Sequence, residues 1–101
     1  MITIWKYPLE GYASNQVIKM PVGSEVIKIA MQHDKITIWA IVQTEAELAN
    51  VQVYIRGTGH DLALGLNPKP SDFDLNDIAD YWETVFDGDY VWHVFVVEGE
   101  Q

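Results

Sequence analysis

Short runs in which apolar and polar residues alternate with a period of two dominate this sequence, and most are cut by proline, glycine or an Asp-Gly pair. Alternation of this kind lines one face of a β-strand, whereas on a helix it scatters around the axis. The runs span residues 2–7, 16–20, 26–31, 36–43, 51–56, 81–86 and 90–97. Pro8, Pro21 and Gly57 stop three of them, because proline cannot donate to a ladder and glycine weakens one. Gln32-His33-Asp34-Lys35 separates two β-rich runs and reads as a hairpin, as does Asp87-Gly88-Asp89. In the run 36–43, Ile36, Ile38, Ala40 and Val42 form one apolar face, and Thr37, Trp39 and Ile41 form a second. A strand apolar on both faces belongs in the middle of a sheet or under cover on two sides.

Two stretches break the pattern. Residues 44–50 read as a helical turn or a loop, and 61–71, with Gly65, Pro68 and Pro70, as a loop. Ser71 is placed to cap a short helix near residues 72–80, since Leu75, Ile78, Ala79 and Trp82 recur at helical spacing. Asp72, Asp74 and Asp77 suit its first turns, where the helix dipole favours anions. The expected fold is mainly β: a small antiparallel sandwich or partly open barrel of about seven strands with that one helix, in a single domain over 1–101. With 49% hydrophobic residues the chain has enough apolar surface for one core.

Composition then removes several functions. The chain has no cysteine, which excludes disulfides, thiolate metal sites and cysteine nucleophiles. Net charge is −9; every lysine and arginine precedes residue 70, and nine of the fifteen acids follow it. Tracking a DNA or RNA backbone needs clustered cations, and an anionic membrane needs the same, so neither is expected as a partner. The longest apolar run, Ile38-Trp39-Ala40-Ile41-Val42, cannot span a bilayer, and no signal peptide is visible, so a soluble intracellular protein is expected. His33, His60 and His93 are too scattered to predict a metal site, and Ser14, Ser24 and Ser71 lack a nucleophile context; no enzyme activity or cofactor is expected.

Arg56-Gly57-Thr58-Gly59-His60 is the densest candidate site. Two glycines permit positive φ and close backbone approach, and exposed N–H groups there can cradle a phosphate. Arg56, the only arginine, offers a bidentate fork, and Thr58 and His60 add donors. The same segment also reads as a strand exit with Arg56 paired to a nearby acid. Trp5 and Tyr7, flanking Lys6, and Trp92, beside His93, offer flat π surfaces for a base or a protomer interface, although most aromatics in a small β domain are core.

Five stretches carry a resemblance. Ile4-Trp5-Lys6-Tyr7-Pro8-Leu9, Ile18-Lys19-Met20-Pro21-Val22-Gly23, Ile36-Thr37-Ile38-Trp39-Ala40-Ile41-Val42, Tyr54-Ile55-Arg56-Gly57-Thr58-Gly59-His60 and Val91-Trp92-His93-Val94-Phe95 together resemble a family of short phage and prophage proteins. The segment from about Ala63 to Asp80 departs from it as an insertion. Members resemble the phage sponges that sequester cyclic oligonucleotide messengers of bacterial antiphage immunity (anti-CBASS proteins). The resemblance implies a homo-oligomer in the cytoplasm of an infected host that binds a cyclic oligonucleotide, such as a cyclic dinucleotide, and leaves it uncleaved. It would place phosphate on Arg56 and His60, admit it past Gly57 and Gly59 beside Thr58, and stack a base on Trp5 or Tyr7 around Lys6. The competing expectation is a protein–protein interaction module, a virion accessory protein or host-enzyme inhibitor, using the aromatics and the acidic C-terminal third.

Overall fold

The computed structural model describes residues 1–12, 14–61 and 79–98. Among these residues there are seven strands: β1 (Ile2–Pro8), β2 (Asn15–Pro21), β3 (Glu25–Gln32), β4 (Lys35–Gln43), β5 (Leu48–Gly57), β6 (Tyr81–Asp87) and β7 (Tyr90–Val97). They form two antiparallel sheets, ordered β1-β4-β3 and β2-β5-β7-β6, which are not closed into a barrel. The fold is therefore a β-sandwich. Among the described residues there is no helix. The helix expected near 72–80 lies, but for its last two residues, outside the described residues; Trp82, which the helical spacing included, stands in β6.

Turn chemistry fixes both hairpins. His33 and Asp34 join β3 to β4 with φ of 52° and 64°, the paired left-handed conformations of a type I′ turn. Asp87 pairs with Tyr90, leaving Gly88 and Asp89 as the β6–β7 loop, and Gly88 takes φ 60°. A positive φ at the first loop residue alone is the type II′ arrangement, which glycine favours.

The two sheets bury their facing sides. Ile36, Ile38, Ala40 and Val42 of β4, Val51, Val53 and Ile55 of β5, and Val94 and Val96 of β7 are all in the core. β4 is central in its sheet, as its two apolar faces require. The more aliphatic face of β1, Ile2 and Ile4, points to solvent, while Tyr7 packs against the core. Residues 48–50 differ from expectation, because they extend β5 rather than form a turn or loop. Pairing with Pro21, Met20 and Lys19 overrides their weak β propensity.

The sheets are tied at one corner. From β6, the Glu83 carboxylate accepts from the Ile29 N–H of β3 at 2.7 Å, from Lys28 Nζ at 3.0 Å and from Tyr81 Oη at 2.8 Å. Burial pushes Glu83 upward, but these hydrogen bonds outweigh it and hold the carboxyl below its usual range. Burial and the bonded carboxylate together push Tyr81 up to about 12.

Candidate functional site

The chain leaves β5 through a tight turn. Gly57 O accepts from the His60 N–H at 3.0 Å, and the Gly57 N–H donates to His60 Nδ1 at 2.9 Å. Gly59 has φ +90°, the conformation that the third position of a type II turn demands. Gly57 serves a different need: a β-carbon there would stand 2.9 Å from His60 Cε1, so the imidazole lies directly over this glycine. With Nδ1 accepting, the neutral ring carries its proton on Nε2, leaving that N–H to donate elsewhere.

The turn separates two open cavities. On the solvent side of the β5-β7-β6 sheet, about 430 Å³ is lined by Gly57, Thr58, Gly59, His60, Trp82, His93 and Phe95. Trp82 and Phe95 stack at 5.5 Å between centroids and 23° between planes. His93 Nε2 is 2.9 Å from Thr58 Oγ1, and Nδ1 is 3.0 Å from Thr84 Oγ1, so both ring nitrogens have hydroxyl partners. On the other side, about 400 Å³ is lined by Gly57, Thr58, His60, Asp89, Tyr90, Val91 and Trp92. Trp92 stacks between Tyr12 at 4.8 Å and Tyr90 at 6.4 Å, and Tyr12 Oη donates to Asp87 Oδ2 at 2.5 Å. The hydrogen bond to Asp87 is the main cause that raises Tyr12 above its usual phenol range.

The sequence-selected residues divide three ways. Gly57, Thr58, Gly59 and His60 come together at both cavities. Arg56 lines neither: it is 0% exposed, and Nη1 donates to Ser14 O at 2.9 Å, Asn15 Oδ1 at 2.9 Å and Ile55 O at 3.1 Å. Its guanidinium lies 5.4 Å from the centroid of the Tyr54 ring. Burial lowers its pKa, with Tyr54 and Asp61 opposing, yet so strong a base stays charged at neutral pH. Trp5, Lys6 and Tyr7 stand on β1 in the other sheet, where Lys6 Nζ donates to Gln32 Oε1 at 2.7 Å and Tyr7 is pushed up by burial. They line neither cavity at the turn.

Trp82, His93 and Phe95 were missed as site residues. A signal existed: the alternation of β7 places His93 and Phe95 on one face, and the short hairpin places Thr84 and Trp82 opposite them. Among the described residues, no three His, Cys, Asp or Glu side chains converge as a metal site requires. Also among them, no helix is long and apolar enough to cross a membrane.

The chain belongs to the family described as a domain of unknown function, DUF7352, whose model matches residues 1–101. No curated protein and no solved structure matches it.

Proposed function

We propose that this protein captures a small ligand bearing both flat rings and phosphate, a cyclic oligonucleotide such as a cyclic dinucleotide, and holds it without cleaving it. The observation that carries this reading is the glycine turn at the end of β5, with an aromatic-walled cavity on either side of it. Stacking on an aromatic is worth about 1–3 kcal/mol per base and needs no net positive charge. The Trp82–Phe95 pair offers one such surface, and Trp92 with Tyr90 offers another. His60 Nε2–H, Thr58 Oγ1 and the turn backbone supply neutral donors, which serve a ligand with few phosphates in a chain of charge −9. The resemblance to phage sponges adds the biological setting: removal of an immune messenger inside an infected bacterial cell.

The test is calorimetry and thermal shift of the purified protein against cyclic di- and trinucleotides, with linear dinucleotides and nucleosides as controls. One cyclic species should stabilise the fold by roughly 2.7 kcal/mol at a hundred times its Kd, and chromatography should return it intact. Trp82→Ala should weaken it at least tenfold. A panel with no stabilising member, or recovery of a linear product, would overturn the reading.

A second reading, a protein-docking module, is favoured by the β6–β7 hairpin. Phe86 and Tyr90 are exposed beside Asp87 and Asp89, a tip fitted to a basic partner surface.

A further inference from the structure

Strand β1 is an edge strand whose polar groups follow a fixed parity. Thr44 N–H donates to Met1 O and Leu9 N–H to Ile36 O, extending a ladder in which odd-numbered residues of β1 bond to β4. The N–H and C=O groups of Ile2, Ile4 and Lys6 therefore point away from the sheet. On the solvent face, Ile2 is 71% and Ile4 54% exposed, and Ile4 pairs with Ile41 of β4 while Lys6 pairs with Trp39. This half of the face is apolar, and β1 contains no acid in a chain of charge −9.

The other edges are managed. β3 and β6 face one another through Glu83 on the Ile29 N–H and Tyr81 Oη on Ile27 O, and β3 is irregular between Val26 and Lys28. The solvent face of β2 carries Asn15, Val17 and Lys19 beside Tyr54, Gln52 and Asn50, a largely polar surface. Among the described strands, only β1 combines outward ladder groups with an apolar face, the combination that invites strand addition.

We propose that β1 pairs antiparallel with β1 of a second copy about a two-fold axis at Ile4, making one six-stranded sheet. Side-chain parity requires residues opposite one another to share a face, so the sum of their numbers is even. Centring on Ile4 sets Ile2 opposite Lys6 of the second copy, and every outward N–H and C=O of these three residues is then bonded. Centring on Trp5 would set Ile2 against Pro8, which has no N–H to give. Centring on Lys6 would oppose two like charges. The chosen register also joins Ile2, Ile4, Ile41 and Trp39 of both copies into one apolar band. This interface is separate from the cavities at the β5 turn and stands or falls without them.

Ile4→Pro is the sharpest variant, because the Ile4 N–H points outward and its loss leaves the β1–β4 ladder whole. Ile4→Lys is a second route, placing two cations together at the axis. Sedimentation at micromolar concentration should give wild type twice the 11.5 kDa mass of the chain and both variants a single chain, with near-UV circular dichroism unchanged. The natural chain has no cysteine, so a spin label on Ile4→Cys is unique. Two copies should place α-carbons about 5.5 Å apart there and broaden the spectrum, while a label on Val17→Cys in β2 should not. A monomeric wild type, a dimer that survives both Ile4 variants, or equal broadening at both labels would overturn the proposal.

Discussion

At Gly57 a β-carbon would meet the His60 ring, whereas at Gly59 it would meet open space but need a φ of +90°. The two glycines were both legible as signs of an unusual backbone, but only the fold separates a packing requirement from a dihedral one. Gly57→Ala should push the imidazole aside, breaking its bond to the residue 57 N–H, while the turn persists. We expect a loss of about 1 kcal/mol of stability and a clear change in the His60 resonances in an imidazole NMR spectrum. Arg56 was the reverse case. Its type and its place before two glycines suggested a phosphate anchor, and nothing local could reveal that Ser14 and Asn15, some forty residues earlier, end beneath it. Arg56→Ala removes charge-assisted bonds and strands buried acceptors, so about 2–4 kcal/mol of stability should be lost. A melting temperature lowered by about 10 °C or more, with ligand affinity retained in the folded protein, is the expected pair of results.

At the scale of elements, the sequence located all seven strands because alternation and turn residues are local signals, and β4 announced its central position through two apolar faces. What it could not disclose was which side of β1 faces inward, since both sides are half apolar, nor that β5 begins at Leu48. Those outcomes depend on partners distant in the chain. The tie between β3 and β6 is of this kind, and Glu83 makes it measurable. Its folded pKa is depressed, so the unfolded state takes up the proton more readily as pH falls. The contribution is fully present above the unfolded carboxylate range and is lost as pH falls through the folded pKa. Between about pH 3 and pH 6 the melting temperature of wild type should rise more than that of Glu83→Gln. At neutral pH the variant should be about 1 kcal/mol less stable, because one strong acceptor for three donors becomes a weaker one.

For the whole molecule, charge and association oppose each other. Each copy carries −9, so joining two through β1 brings like net charges together even though the strand itself contains no acid. The attraction proposed at β1 is short-ranged, made of ladder hydrogen bonds and apolar contact, and salt barely weakens it. The repulsion is long-ranged, and its reach shrinks from about 30 Å at 0.01 M ionic strength to about 10 Å at 0.1 M. Added sodium chloride should therefore tighten the dimer over that range, the opposite of what an interface built on ion pairs would do. Lowering pH toward the isoelectric point near 4.4 should tighten it further, as the carboxylates that supply the charge are neutralised. Sedimentation equilibrium at several salt concentrations reads the trend directly. A dissociation constant that rises with salt would mean that charged pairs hold the copies together, and the β1 edge, with Lys6 as its one charge, could not be the surface that joins them.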